Sequence, residues 1–180
     1  MHDETVRLMH YDPRWKQEFE QTRSSILFSC EGWVTGVQHV GSTAISGLIA
    51  RPTIDVIATV RDRDGLAPAR MLIEGLNFRC EDSANWAAEA ITLCKPRSPP
   101  AGQPDPTHRV MLVQEGSELL RRAIRLRDFF RSHPETAIRW EETKVASWRD
   151  CEGDLHRYES DKAIFLAHLS DQLDAAEGGD

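Results

Sequence analysis

The sequence predicts an α/β protein of the α+β kind, with a small mixed sheet flanked by helices and followed by a C-terminal helical cap. Apolar β-rich segments alternate with helical periodicity in the first two thirds, and from Ser117 the spacing becomes wholly helical. The 180 residues, of which 40% are hydrophobic, suit one domain over 1–180. We expect a sheet core at 1–116, helices at 117–176 and a frayed tail at 177–180.

The N-terminal region predicts an edge strand, a packing helix and a longer strand. Val6–Met9 is the short edge strand, and Pro13 is placed to begin the helix. Apolar positions of that helix recur at spacings of four, three and four, which gives one packing face. These positions are Trp15, Phe19, Thr22 and Ile26. The strand Trp33–Val40 then ends at Gly41.

A tight corner follows that strand, because glycine tolerates a backbone conformation that other residues resist. Ser42 and Thr43 are predicted to cap a short helix that Pro52 ends, and backbone N–H groups at a helix start attract anions such as phosphate. The next strand, Thr53–Val60, is apolar except for Asp55. A carboxylate in a buried strand is costly without a partner or a metal, so Asp55 is a candidate functional residue.

The remaining elements are one helix, two strands and three late helices. The two strands are joined by a proline-rich loop at 96–106, which predicts an antiparallel hairpin, and 78–85 is ambiguous. Gly153 is predicted to end the second late helix, before the last one begins. The predicted segments are Ala67–Leu76, Ala90–Cys94, His108–Gln114, Ser117–Arg131, Pro134–Trp148 and Leu155–Leu173.

Composition narrows the classes of function. The formal charge of −7 argues against broad DNA or RNA binding, which needs a basic surface, but permits a small basic pocket. The four cysteines (Cys30, Cys80, Cys94 and Cys151) lack C-x-x-C or zinc spacing, which fits core thiols in a reducing cytoplasm. The polar N-terminus does not resemble a signal peptide, and no apolar run is long enough to span a membrane. The sequence does not set an oligomeric state.

Several motifs resemble those of the GrpB (UPF0157) family, which is grouped with the nucleotidyltransferase superfamily. The most specific runs from His39-Val-Gly-Ser-Thr-Ala44 through Gly47-Leu48 to Arg51-Pro-Thr-Ile-Asp55. Supporting similarities cover most of the chain: Tyr11-Asp-Pro-Arg-Trp15, Thr107-His108, Arg127 to Glu135, and Tyr158 with Lys162. The resemblance implies a sheet of nucleotidyltransferase type.

Nucleotidyl transfer requires a cradle for phosphates, carboxylates that hold Mg²⁺, and a positioned attacking oxygen. The resemblance implies that Gly41, Ser42 and Thr43 contact phosphate and that Asp55 holds Mg²⁺. We expect His108, which begins a strand at the presumed cleft, to act with Asp55 in catalysis.

The carboxylate set is incomplete. The superfamily usually has Asp-x-Asp on the first catalytic strand, which places both oxygens on one metal. Ile57 stands at the second position here, and 108–113 contains no carboxylate. Mg²⁺ prefers oxygen ligands, so one Asp with one His forms a weak site.

Cationic and aromatic side chains complete the predicted nucleotide-binding set. Arg51, Arg109 and Arg127 are candidates for contacts with phosphate. Tyr158 and Lys162 lie four residues apart on one helix face, where the ring could stack on a base and the ammonium could meet a phosphate. Arg127 belongs to an arginine cluster on the first late helix, with Arg121, Arg122, Arg125 and Arg131. The alternatives are a solvated helix face for this cluster and a salt-bridged surface pair for Tyr158 and Lys162.

Structural alternatives also remain open for the corner. The Gly41 turn could be only a helix cap, and Asp55 could simply pair with Arg51, His39 or His108. His39 is expected to be a satisfied structural histidine. A Walker loop is excluded, because five residues separate the two glycines of the corner and Leu48 stands where lysine is needed.

Two functions from different classes follow. The first is a Mg²⁺-dependent nucleotidyltransferase that acts on a nucleoside triphosphate and an unknown small acceptor. The alternative is a catalytically degenerate module that binds a nucleotide or another phosphorylated small molecule and has a regulatory or helper role. Hydrolysis by His108 and Asp55 has no specific support in the spacing.

Overall fold

The computed structural model describes residues 6–84, 87–100, 105–152 and 154–177, with side chains described as far as residue 175. Within these ranges the chain forms five strands and five α-helices. Their bounds in chain order are α1 (Arg14–Ser29), β1 (Val34–Val40), β2 (Ile54–Val60), α2 (Leu66–Glu74), β3 (Arg79–Glu81), β4 (Ile91–Lys95), β5 (His108–Gln114), α3 (Glu118–Ser132), α4 (Pro134–Asp150) and α5 (Leu155–Glu177).

The five strands form one mixed sheet in the order β1-β2-β5-β4-β3. The β2 and β5 strands are parallel, and the other neighbouring strands are antiparallel. The predicted mixed α/β class and the β4–β5 antiparallel pairing are therefore confirmed. The ambiguous segment after Phe78 contributes the short strand β3, while residues 101–104 of the proline-rich loop lie outside the described residues.

Helices α1 and α2 cover one face of the sheet, which we call the α1/α2 face. Alternate strand residues point to opposite faces, so Ile54, Val56 and Ala58 of β2 pack on this side. The predicted face of α1 is buried here, from Trp15 to Ile26. Burial of these apolar side chains contributes about 25 cal/mol per Å² of surface removed from water.

Helices α3, α4 and α5 cover the other face, which we call the α3–α5 face. Val40, Ile57 and Met111 pack beside Leu119 of α3. A second cluster lies farther from the sheet, where residues after β1 pack against all three helices. Its buried members are Ile45, Leu48, Phe130, Ala137, Trp140 and Leu169.

Two local predictions are wrong. The Val6–Met9 segment is not a strand beyond one bridge between Met9 and Ala50, because no further backbone pairing extends it among the described residues. The short helix after Gly41 is a single 3₁₀ turn, Ser42–Ala44, and no side chain caps it. By contrast, the Ser117 hydroxyl caps α3 by accepting from the Leu120 N–H.

Two further predictions concern residues outside the described ranges. Gly153 and the tail 178–180 fall outside the described residues. Within the described ranges, no helix combines the length and apolar character needed to cross a bilayer.

Candidate functional site

A cavity of about 390 Å³ lies between the α3–α5 face of the sheet and the three late helices. It is within the size range of small-molecule sites. Nine of the ten sequence-predicted site residues line it; His108 does not. The nine are Gly41, Ser42, Thr43, Arg51, Asp55, Arg109, Arg127, Tyr158 and Lys162.

Gly41 places the corner directly against Asp55. Its φ is +74°, which favours glycine, and a Cβ at this position would lie 2.9 Å from the Asp55 Oδ2. A larger residue would therefore meet both backbone strain and the carboxylate. The turn and the carboxylate lie together on the cavity wall, as the sequence predicts.

The corner also supplies backbone donors. The N–H groups of Gly41, Ser42 and Thr43 make no recorded hydrogen bond to another described residue. Such groups are available to an anion at the cavity wall.

Asp55 is paired with Arg109. The parallel register sets Asp55 opposite Arg109, and the Arg109 Nη1 lies 3.4 Å from the Asp55 Oδ1. This oxygen is buried and accepts no hydrogen bond from the described residues. Asp55 raises the pKa of Arg109. The alternative partners considered for Asp55, namely Arg51, His39 and His108, do not hold this position.

His108 lies on the opposite face, so its predicted place beside Asp55 is wrong. It pairs in register with Ile54, one residue before Asp55, and the strand pleat sends the two side chains to opposite sides. Its Nδ1 is hydrogen-bonded to the Thr107 Oγ1 at 3.0 Å, and its Nε2 has no partner among the described residues. Burial, assisted by Lys95, lowers the pKa of His108 to about 4.

His39 is a structural histidine on the α1/α2 face. Its ring stacks on Phe19 with centroids 4.6 Å apart, and its Nε2 is 3.0 Å from the Thr43 Oγ1. Thr43 also donates to the Thr53 carbonyl at 3.3 Å, so its hydroxyl serves the fold rather than capping the turn. Burial, then Arg131 and Arg127, lowers the pKa of His39 to about 4.

Lys144 on α4 is a cavity residue that the sequence interpretation missed. Its Nζ donates to the Ile49 carbonyl and, at 3.3 Å, to the Ser42 Oγ. The residue is 1% exposed, and no carboxylate of the described residues forms a salt bridge with it. Burial, then the nearby charge of Lys162, lowers the pKa of Lys144 to about 7.

Spacing could have signalled Lys144. It lies four residues after Trp140 and three before Ser147, and both of these are buried. A lysine on the apolar stripe of a helix is unusual, because burial of an unpaired charge is costly.

Glu159 on α5 is the second missed residue. It accepts from the Arg51 Nη1 at 2.6 Å, and the Lys162 Nζ lies 3.3 Å away. The other terminal nitrogen of Arg51 donates to Asp105, while the Arg51 Nε has no partner among the described residues. Burial would raise the pKa of Glu159, but Lys162 and Arg51 outweigh it, and the net shift is downward.

The remaining predicted residues join α3 and α5 to the site. The Arg127 Nη1 donates to the Gln38 Oε1 at 3.0 Å and to the His39 carbonyl at 3.1 Å, which fastens α3 to β1. Tyr158 is 1% exposed, and Lys162 lies over its ring at 5.8 Å from the centroid. Burial raises the pKa of Tyr158.

Positive charge dominates the described lining of the cavity. Six cationic side chains face two carboxylates, Asp55 and Glu159, in a chain whose formal charge is −7. The cations are Arg51, Arg109, Arg122, Arg127, Lys144 and Lys162. Such an excess inside a cavity raises the local concentration of anions.

The carboxylates do not fit Mg²⁺. Among the described residues, no group of three or more His, Cys, Asp or Glu side chains could hold a metal ion. Arg109 stands 3.4 Å from the Asp55 oxygen and supplies the positive charge there. We therefore derive no chemistry through a metal.

Comparison with known proteins identifies relatives of the chain. A family model described as GrpB protein matches residues 5–172. A UPF0157 protein of Pseudomonas aeruginosa is 29% identical over 93% of this chain and 67% of its own length. A UPF0157 protein of Halalkalibacterium halodurans is 38% identical over 61 residues, which cover 34% of this chain and 31% of the relative. The matched region thus spans about two thirds and about one third of these relatives.

A crystal structure of conserved protein GrpB from Enterococcus faecalis has a similar fold. The TM-score is 0.79 at 20% identity, and the match covers 92% of this chain and 96% of that one. At this identity the comparison establishes the fold alone. The described mixed sheet and its helices are therefore an arrangement that this solved structure shares.

Proposed function

The chain belongs to the GrpB family, and we propose that it binds an anionic small molecule, a nucleotide or another phosphorylated compound, in the cavity beneath α3–α5. The main support is that cationic side chains outnumber carboxylates in the lining of the cavity, although the chain as a whole is acidic. Asp105 and Asp128, which lie outside the lining, pair with Arg51 and Arg127. Lys144 is buried and forms no salt bridge with a described carboxylate, so an incoming phosphate would balance its charge.

Specific donors support this proposal. The Arg51 Nε is buried without an acceptor among the described residues. The Lys144 Nζ reaches the same cavity beside Ser42, where the corner N–H groups lack acceptors in the described chain. An anion with several oxygens would satisfy donors from the corner, from Arg51 before β2 and from Lys144 of α4 together.

The carboxylate geometry favours a binding role over group transfer. Asp55 lies beside Arg109, and Glu159 is held by Arg51 and Lys162. Both carboxylates are therefore engaged by cations of the cavity: Asp55 by Arg109, and Glu159 by Arg51 and Lys162. A protein of this kind would have a regulatory or helper role in response to its ligand.

Nucleotidyl transfer is the second candidate, and one observation favours it. The Gly41 corner lies directly against Asp55, as the superfamily pattern requires of a phosphate turn and its catalytic carboxylate. The substrates would be a nucleoside triphosphate and an unknown small acceptor. Ser42 would contact the phosphates, and Asp55 would have to exchange its ion pair with Arg109 for a metal ion.

Thermal shift with inorganic phosphate and each nucleoside triphosphate, with and without Mg²⁺, tests both candidates. A ligand that binds only the folded state raises its stability by about 2.7 kcal/mol at a hundredfold excess over Kd. We expect a Mg²⁺-independent shift that persists in Asp55→Asn and is lost in Lys144→Met. Arg14→Met, which removes an exposed cation outside the cavity, is the matched control.

The Mg²⁺ dependence of the thermal shift distinguishes the two candidate functions. A shift that requires Mg²⁺ and disappears in Asp55→Asn would favour nucleotidyl transfer over simple binding. No shift with any of these anions, in a wild-type protein that melts cooperatively, would contradict the binding proposal.

A further inference from the structure

The cavity has an extensive hydrocarbon wall in addition to its charged residues. The late helices contribute large apolar side chains, and the sheet contributes Met111. The main ones are Met111, Leu119, Leu126, Phe130, Trp140 and Leu166. They belong to the two hydrophobic clusters of the α3–α5 face, so the wall is the open edge of a packed core.

Five of the eight charged lining residues form two ion-paired sets. Glu159 links Arg51 and Lys162, and Asp55 is paired with Arg109. Glu159 also raises the pKa of Arg109, behind the larger effect of Asp55, so the two sets interact. These two sets therefore form a polar region in a lining whose larger part is apolar.

Lys144 lies where these regions meet. Its Nζ is 3.3 Å from the Ser42 hydroxyl in the charged corner and 5.4 Å from the centroid of the Trp140 ring in the apolar wall. A ligand whose charge is held by Lys144 would therefore extend its remaining atoms along Trp140 and its neighbours.

We propose that the ligand is an amphipathic anion, with one acidic head group and a compact apolar body. This inference rests on the proposed function, because it assumes that the cavity binds an anion. A hydrocarbon body gains free energy when such a wall removes it from water. The hydrogen-bonding edges of a base and the hydroxyls of a ribose would lose water there without gaining matching partners.

The mouth of the cavity offers a way to fill its apolar part. Ala163 and Ala167 of α5 lie one helical turn apart, line the cavity and are exposed. Because both are exposed and line the cavity, a larger side chain at either position would have the cavity within reach. Ala175, exposed on the same helix, does not line the cavity and provides a matched control.

Isothermal titration of the full chain with inorganic phosphate, phenyl phosphate, benzoate and AMP tests the inference. We expect phenyl phosphate or benzoate to bind at least about tenfold more tightly than both inorganic phosphate and AMP, since burial of a ring is worth more than 1.4 kcal/mol. The tighter of the two aromatic anions identifies the head group as phosphate or carboxylate.

Variants locate the effect. Ala167→Phe, and Ala163→Phe as a second variant that fills the cavity, should abolish the tighter binding of the aromatic anions relative to inorganic phosphate. Ala175→Phe should retain this difference in affinity. Lys144→Met should weaken the aromatic anions and inorganic phosphate alike. Equal changes in Ala167→Phe and Ala175→Phe would overturn the assignment of the wall.

The failures of the two proposals are distinguishable. Inorganic phosphate that binds as tightly as the aromatic anions would overturn the apolar body and leave the anion-binding function standing. AMP that binds more tightly than the aromatic anions would overturn it in favour of a nucleotide. If no probe binds, both this inference and the proposed function are wrong.

Discussion

The two faces of the sheet differ in the charge state of their ionisable side chains. On the α1/α2 face, His39 and His108 are buried, and burial lowers the pKa of each to about 4, so both are neutral at pH 7. On the α3–α5 face, Asp55 and Arg109 form an ion pair at the edge of a cavity. His108 and Arg109, adjacent residues of β5, lie in the two different environments.

The pleat of β2 and β5 separates the buried His108 from the Asp55–Arg109 ion pair at the cavity. The parallel register pairs Ile54 with His108 and Asp55 with Arg109, and each pair points to its own face. A shift of one residue in β5 would exchange the two side chains. We therefore assign binding to the α3–α5 face and packing to the other.

The largest expected effect sharpens this comparison at the corner of the cavity. Gly41→Ala should lower the free energy of unfolding by about 3 kcal/mol, because it adds backbone strain and a contact with Asp55. Gly47→Ala is the matched control, since its φ is +86° but a Cβ would meet nothing within 4 Å. It should lose only about 1 kcal/mol. If urea unfolding gave the same loss of unfolding free energy for Gly41→Ala and Gly47→Ala, the contact with Asp55 would contribute nothing to the destabilisation.

The ion pair provides the next test. Arg109→Met should destabilise by about 2 kcal/mol, because it leaves the partly buried carboxylate of Asp55 without its cation. Adding Asp55→Asn to that variant should restore most of the loss. A double-mutant cycle measured by urea unfolding gives the coupling energy. Simple additivity of the two substitutions would contradict direct pairing.

The opposite face should respond to acid through its histidines. Because the folded pKa of His108 is lowered from 6.5 to about 4, the unfolded chain binds more protons between these values. Stability should therefore fall as the pH falls from 6.5 to 4, by at most about 1.4 kcal/mol per pH unit from this residue. His108→Gln should reduce that slope in urea unfolding. An unchanged slope would mean that His108 is protonated in the fold.

The smallest expected effect concerns anion affinity and Lys144. Its pKa is about 7 in the free protein, so the amine loses its charge as the pH rises above that value. Sulfate, which does not titrate in this range, should bind roughly tenfold more weakly at pH 9 than at pH 6. The neighbouring charges are Glu141 and Lys162. In calorimetric titrations, Lys144→Met should remove most of the pH dependence of sulfate affinity. If the pH dependence persists in this variant, a group other than Lys144 is responsible for it.

Sequence reasoning identified the fold class and the meeting of Gly41 with Asp55, because both depend on local signals. A glycine turn and a lone acidic residue in an apolar strand are visible in the sequence. The face of His108 was not predictable, since it depends on the register of β5 against β2. Lys144 and Glu159 were missed because packing of α4 and α5 over the sheet brings them to the cavity.

The central claim is that anions bind on the α3–α5 face. A crystal soaked in selenate, with data collected at the selenium edge, would locate an anion by its anomalous signal. We expect a peak within hydrogen-bonding distance of Ser42 and Lys144. Selenate bound beside His108 on the α1/α2 face, with no peak in the cavity, would contradict it.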